Sequence, residues 1–528
     1  IELYIIYFFT VYMNKHHSLY TTITKRPILN TTKTPVVVYF TSRINLVGQF
    51  FEKYLHKLQQ FIQPFAICSK TQMNNHEMHA KYEKHYSTDK NHILHKLHTQ
   101  INKPIVLLST YHSKQVVYDV IQSLDHGCFC FPTMICDEAH NIFPSSGKSI
   151  PEVINNQDSY YNFFYNHKNS ISNTFDSIFF FTATPYHYAT FDKQMYELFH
   201  SCSHYPYMKA VHDNQCKVIK CPVYFYSLPN NPDFHPIYHE MYKHNPLYLS
   251  DDATIEPQEE DDQESSSSIN GYLENVPKET MFNYRRQSMY KKMKILCLNS
   301  LDTRSDKYLS FHRYAKKSDV QLHSYFTSVK EFVEYANSKT SNGKSIIQSI
   351  YDETYDSYMK KHPDIKSIIP HKKCMVYGIY ANTHENQRKK LLKHLENVKK
   401  DELYILASCQ VISEGIDTAS VNCVSFFDPI SSVKDIIQFI GRSTRVERNK
   451  DGVPYEKQKY ANVLLFEMVE QRLIEDVDEE TRQNNISKSI GNNHSTILKV
   501  FAALEQENPE LFYMCLRHPF TLTNSEID

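Results

Sequence analysis

The sequence has no tryptophan and only 10 glycines in 528 residues. The glycine shortage matters most, because loops that cradle phosphate with backbone N–H groups are built on glycine. The pattern Gly-x-x-x-x-Gly-Lys-[Ser/Thr] occurs nowhere in the chain. Gly147-Lys148-Ser149 ends as such a loop ends, but it lacks the earlier glycine and follows Pro-Ser-Ser rather than a strand. Thr31 to Thr34 has no glycine at all. Long apolar runs are also missing. Ile1 to Met13 is strongly apolar but falls short of the roughly 20 residues that span a bilayer. It also lacks the basic segment of a signal peptide, so it reads as a buried helix and no membrane partner is expected. Charge of one sign is lacking too. The formal net charge of -1 says nothing about partners, because a protein that follows a polyanion needs only a basic groove. The 12 cysteines are scattered: Cys128 and Cys130 have no matching second pair, and neither do Cys216 and Cys221. That excludes a zinc framework and reads as an intracellular chain with free thiols.

What is present is a repeated alternation of short β-branched runs with helical stretches. Pro35 to Phe40, Lys103 to Thr110, Phe131 to Cys136 and Ser177 to Phe181 read as buried strands, with helices such as Gln115 to Leu124 between them. Strand runs resume at Lys307 to Phe311, Lys373 to Gly378, Leu403 to Ala407, Val421 to Phe426 and Asn462 to Phe466. Two α/β units with parallel sheets follow from this pattern. Between them Asp251 to Ser268 is acidic, serine-rich and nearly free of apolar residues, which marks a solvated insertion.

Four motifs carry chemistry-bearing residues. Asp137-Glu138-Ala139-His140 follows the apolar run Phe131 to Cys136. In an open parallel sheet, sites form at the carboxyl ends of strands. An aspartate there can hold Mg²⁺, which takes few carboxylates and keeps several waters. The neighbouring glutamate can activate an attacking water. Thr182-Ala183-Thr184-Pro185 ends the next apolar run, where hydroxyls can link a site to its surroundings by hydrogen bonds. Downstream, Ser413-Glu414-Gly415-Ile416-Asp417 precedes Gln438-Phe439-Ile440-Gly441-Arg442-Ser443-Thr444-Arg445. Two arginines three apart on a helical stretch can project the same way and stabilise charge on a transferring phosphoryl group.

In this order the four motifs resemble motifs two, three, five and six of superfamily-two helicases of the DEAD/DEAH type. The stretch Tyr404 to Arg445 is similar to the second motor domain of restriction-enzyme translocases. Val36 to Phe50 resembles motif Ia, Ser109 to Ser113 a further backbone-contacting motif, and Tyr308 to His312 motif four. The resemblance covers roughly residues 30 to 470 and implies two tandem RecA-like parallel-sheet domains with a small helical C-terminal tail. The first domain would span 1–205 and the second 301–470. A linker, 206–300, would hold the acidic insertion, and a helical extension would fill 471–528.

The resemblance further implies ATP and Mg²⁺ as cofactors and hydrolysis between two RecA-like lobes that step along nucleic acid, with DNA favoured. Asp137 would serve Mg²⁺ and Glu138 would be the base. His140, Thr182 and Thr184 would couple hydrolysis to movement. Gly415 and Asp417 would touch nucleotide or strand, Gln438 would sense nucleotide, and Arg442 and Arg445 would be the fingers. Thr41, Ser42, Arg43, Thr110, Ser113 and His312 would meet the nucleic-acid backbone. Motif one is the departure. Family order places it just upstream of Ile1, so the chain by itself is expected to bind ATP poorly or not at all. A non-catalytic nucleic-acid-binding scaffold and the motor subunit of a restriction-type complex are the alternative readings.

Overall fold

The computed structural model describes residues 33–42, 61–68, 86–99, 103–139, 160–182, 207–213, 215–229, 231–242, 276–318, 320–380, 383–409, 421–428, 433–446 and 460–468. Single positions 5, 6, 47, 48, 50, 142, 478, 481, 500, 501 and 504 are described as well. The acidic insertion 251–268 lies outside the described residues. The chain divides into two compact units, Ile1–Ser203 and His204–Asp528.

The first unit is built on six strands: β1 (Thr34–Thr41), β2 (Gln63–Ile67), β3 (Tyr86–Ser87), β4 (Ile105–Thr110), β5 (Phe129–Cys136) and β6 (Ser177–Phe180). Their order is β3-β2-β4-β1-β5-β6 and every pair is parallel. A parallel sheet covered on both faces needs strands that are apolar at consecutive positions. β1 and β5 meet that demand, with all eight residues of each buried. Alternate side chains go to opposite faces. Val36, Val38 and Phe40 join one core cluster, while Val37 and Tyr39 join the other. Among the described residues the helices that accompany the sheet include α1 (Lys90–His98), α2 (Lys114–Ser123) and α3 (Tyr160–Thr174). The Asp89 carboxylate starts α1 by accepting the His92 N–H at 2.9 Å.

The second unit holds seven strands, β7 (Val218–Lys220), β8 (Val223–Tyr226), β9 (Lys307–Phe311), β10 (Lys373–Ile379), β11 (Glu402–Ser408), β12 (Cys423–Phe426) and β13 (Tyr460–Met468). Their order is β10-β11-β9-β12-β13-β7, with β8 also on β13, again all parallel. The helices are α4 (Tyr207–His212), α5 (His235–Tyr242), α6 (Lys278–Thr303), α7 (Val329–Asn337), α8 (Ile346–Lys361), α9 (Glu385–Glu396) and α10 (Val433–Ile440). The stretch read from sequence as a linker, 206–300, contributes β7, β8 and most of α6 to this unit. Met281, Met289, Met293, Ile295 and Leu296 of α6 are buried in its main core. Val500, Phe501 and Leu504, from the expected C-terminal extension, are buried in the core on the other face of the sheet.

The loop from Arg313 to Ser328, which follows β9, is held by buried charge. Arg285 of α6 pairs with Glu331 at 3.0 Å and donates to the Leu322 and Ser324 carbonyls at 2.9 Å. Lys317 reaches the same glutamate at 3.3 Å. Glu331 also closes a capping box with Ser328 at the start of α7. Asp428, just past β12, accepts the Arg313 N–H at 2.9 Å and the Thr327 N–H at 3.2 Å, so one carboxylate fastens both ends of the loop.

Glu467 of β13 gives this interior a pH dependence. Burial pushes its carboxyl from the ordinary 4.5 up to about 8, against the opposite pull of the buried Lys292 ammonium. A folded-state value above the unfolded one means that the native state holds the proton more tightly. The stabilisation from this group is therefore complete below the unfolded value and is lost as pH rises through about 8. We expect the urea midpoint of the wild-type chain to fall relative to Glu467→Gln between pH 5 and 9. Parallel midpoints across that range would show that Glu467 does not titrate there.

Candidate functional site

The acidic turn sits where the sequence puts it, at the carboxyl end of β5. The Asp137 N–H bonds to the Phe40 carbonyl of β1 at 2.9 Å, so the turn leaves the sheet still tied to the neighbouring strand. One carboxylate oxygen of Asp137 accepts the Tyr39 hydroxyl at 3.0 Å and the other accepts the Glu138 N–H at 2.8 Å. The Tyr111 hydroxyl donates to the Asp137 carbonyl at 2.7 Å. Two tyrosines from two other strand ends thus fix the carboxylate and its backbone. Neither was singled out in the sequence, where only the apolar run around Tyr39 was visible. A carboxylate oxygen can accept more than one bond, so a donor on each does not by itself preclude a cation or its water shell. A single positioned carboxylate of this kind fits Mg²⁺, which takes most of its ligands from water and phosphate oxygens.

Glu138 has φ of +51°, and with Arg304 it is one of two such non-glycine residues among those described. Left-handed backbone at a residue with a Cβ costs about 1–2 kcal/mol. Strain of that kind persists where surrounding bonds over-determine it. Here the next residue, Ala139, donates to the Phe181 carbonyl at 2.8 Å, and Phe181 donates to Cys136 at 2.9 Å. The acidic turn is thereby bonded to the end of β6, immediately before Thr182, which is half-buried. His140 and Thr184 lie outside the described residues.

The expected backbone-contacting groups are placed unequally. Thr41 ends β1 and Ser42 follows it, and among the described residues neither hydroxyl has a hydrogen-bond partner although both oxygens are buried. Polar groups left so are costly inside a protein, which marks the end of β1 as a place with unused hydrogen-bonding capacity. Thr110 is buried at the end of β4 and Ser113 is half-buried at the start of α2. Arg43 lies outside the described residues. His312 corrects the expectation. It is fully buried, its ring nitrogens lie 3.2 Å from Ser310 Oγ and 3.0 Å from Thr327 Oγ1, and it packs between Phe332 and Phe427. Burial drives its pKa down to about 3, so it is a neutral core residue that cannot touch a strand. Sequence reading could not tell which way a residue after a strand end points.

In the second unit α10 ends at Ile440, and Gly441, Arg442 and Ser443 form a turn beyond it. The Gly441 N–H bonds to Ile437 at 2.8 Å, and a Cβ on Gly441 would stand 3.2 Å from that carbonyl, tight enough to favour glycine. The two arginines are therefore presented by a helix-ending turn, not by the helix itself. Arg442 is buried and Arg445 half-buried, and Gln438 is buried one turn earlier on α10. Arg445 is anchored through the backbone. It forms an antiparallel bridge with Cys216, and the Lys217 N–H donates to Thr444 at 2.7 Å. Gly415 and Asp417 lie outside the described residues.

Residues 324–447 match the helicase conserved C-terminal domain family, a span that takes in α7 to α10 and both arginines. That span is helicase-like. The fold of the chain is similar to that of the ATP-dependent Type ISP restriction-modification enzyme LlaBIII bound to DNA, at a TM-score of 0.54 and 15% identity. That match covers 93% of this chain and 27% of LlaBIII, so the chain spans about a quarter of that enzyme's length. A fragment of a putative HsdR subunit of a type I restriction enzyme from Vibrio vulnificus YJ016 matches 84% of this chain and 58% of that one. Its 12% identity and TM-score of 0.39 are too low to carry a shared fold. No curated protein sequence matches the chain. The helicase resemblance read from the motifs is borne out over residues 324–447, and the tandem RecA-like α/β architecture is borne out by the fold. Among the described residues no helix is long and apolar enough to cross a membrane.

Proposed function

We propose that the chain is the motor part of an ATP-dependent DNA translocase or helicase. The single observation that carries this reading is the acidic turn of the first unit, a fixed Asp137 carboxylate beside a strained Glu138 at the carboxyl end of a central parallel strand. Asp137 would hold Mg²⁺ on the nucleotide and Glu138 would take the proton of the attacking water. Gln438, Arg442 and Arg445 of the second unit supply the groups that sense nucleotide and stabilise its transferring phosphoryl charge. The orphaned hydroxyls of Thr41 and Ser42 suit phosphate oxygens of a strand, contacts that position a protein without reading sequence. LlaBIII, whose fold the chain shares, is described as ATP-dependent and bound to DNA, which supports DNA over RNA.

The second reading is a scaffold that binds nucleic acid without hydrolysis. The deciding experiment follows ATP turnover by the longest product of the gene, with and without single-stranded DNA, and in parallel the displacement of a labelled strand from a duplex. Turnover stimulated by DNA is the expected result, and displacement separates a helicase from a double-strand translocase. Strand binding with no turnover would establish the scaffold instead.

A further inference from the structure

Lys217 belongs to none of the motifs, yet it is 1% exposed. A lysine is almost never buried to that degree unless its ammonium is held, because taking the charge out of water is costly. Here Lys217 Nζ donates to the Val421 carbonyl at 3.2 Å, just ahead of β12. The Lys217 backbone N–H donates to the Thr444 carbonyl at 2.7 Å. One residue therefore ties the approach to β12 to the turn beyond α10.

That turn carries Arg442 and leads to Arg445. Its shape is set by short-range bonds: the Arg442 N–H to Phe439 at 3.1 Å, the Ser443 N–H to Ile440 at 2.9 Å, and the Thr444 hydroxyl to Gly441 at 3.1 Å. Cys216 and Lys217 tie it to the rest of the unit. Cys216 forms the antiparallel bridge with Arg445, and Lys217 leads into β7. The described pairing of β7 with β13 begins only at Val218, so at Lys217 the ammonium on Val421 supplies a tie to the sheet. On the other side, the Gln215 and Cys216 N–H groups bond to the Ala210 carbonyl at 2.7 and 3.2 Å, which closes α4 directly onto the bridge.

We infer that Lys217 is a positioning residue for Arg445. Its ammonium, anchored on Val421, holds in place the backbone bridge that presents the guanidinium. The inference rests on the finger reading of Arg445 above and deepens it, since it names a residue far away in sequence that sets where the finger stands. The Lys217 ammonium is buried and engaged by a carbonyl, so it acts on phosphoryl transfer only through Arg445. A lysine that served stability alone would leave the finger's contribution to turnover unchanged.

The first measurement needs no nucleotide. Amide hydrogen exchange is followed in the full chain for the peptide that covers residues 441–446. Lys217→Met keeps the backbone N–H and removes the ammonium, and it is expected to speed exchange there severalfold while β9 and β11 exchange as in the wild type. The second measurement uses the longest product of the gene. Lys217→Met should lower kcat by about ten- to a hundredfold, the scale of a catalytic group displaced by about 1 Å, and change the binding of a non-hydrolysable ATP analogue by less than about threefold. In the Arg445→Ala background it should lower turnover no further, because a finger that is absent cannot be misplaced. Lys217→Gln keeps an N–H donor and should recover part of the turnover, and it takes the place of Lys217→Met in both measurements if methionine unfolds the chain. Unchanged exchange at 441–446, or an undiminished loss in the Arg445→Ala background, would overturn the positioning role. If Arg445→Ala turns over like the wild type, the finger reading falls first and takes the brace with it. If Arg445→Ala is inactive and Lys217→Met turns over like the wild type, the brace is wrong while the finger stands.

Discussion

Glu138→Gln is expected to lower DNA-stimulated ATP turnover in the longest product of the gene by a factor on the order of 10²–10⁴, the usual contribution of a positioned general base. The substitution keeps the size of the side chain and the backbone N–H that bonds to Asp137 Oδ1 at 2.8 Å. It removes the negative charge and with it the ability to take a proton from water. DNA affinity should stay within a factor of about 2, because the bonds that hold Tyr39, Tyr111 and Phe181 to the turn do not involve the Glu138 carboxylate. The left-handed backbone adds a second expectation. Glutamine tolerates φ of +51° no better than glutamate, so Glu138→Gln should melt with the wild type. Glu138→Gly relieves strain of about 1–2 kcal/mol and should be at least as stable while being equally inactive. Turnover retained in Glu138→Gln would remove the base from this position and leave the turn a structural device.

The strands that carry this chemistry were legible because parallel strands buried on both faces must be apolar at consecutive positions. β1, β4, β5 and the strands β11 to β13 show it most fully, while β6 is only half-buried and β10 alternates. The strands that escaped notice are short or broken by proline. β2 is a five-residue run with Pro64 inside it, and Cys221-Pro222 separates β7 from β8. α6 escaped for a different reason. Its C-terminal half is buried nearly all round, so it has no polar face to give a 3.6-residue rhythm. The same limit applies to the site. Asp137 and Glu138 announce themselves by type and position. Tyr39, which fixes Asp137 from 98 residues away, is one aromatic in an apolar run, and only pairing of β1 with β5 gives it a role. His312 shows the converse, a suggestive residue in a suggestive motif whose ring turns inward between two phenylalanines.

Arg445→Ala is expected to lower kcat by roughly 10³–10⁵, the range over which an arginine finger acts on phosphoryl transfer. The two arginines separate by burial. Arg442 is 7% exposed and sits in the turn that closes α10, so its removal would disturb packing as well as charge. Arg445 is more exposed, and its place is fixed by backbone through the bridge to Cys216 and the adjacent Thr444 to Lys217 bond, neither of which uses its side chain. Alanine at 445 therefore leaves the anchoring intact and deletes the guanidinium alone. A finger meets charge that develops only in the transition state, so binding of a non-hydrolysable ATP analogue should change by less than about tenfold while turnover collapses. Arg445→Lys should rescue little, since an ammonium group lacks the planar fork that spans two phosphate oxygens. Loss of analogue binding in proportion to the loss of turnover would make Arg445 a ground-state contact. Turnover lost in Arg442→Ala but kept in Arg445→Ala would move the finger to the buried arginine, and the helix-ending turn would then have to open during the cycle.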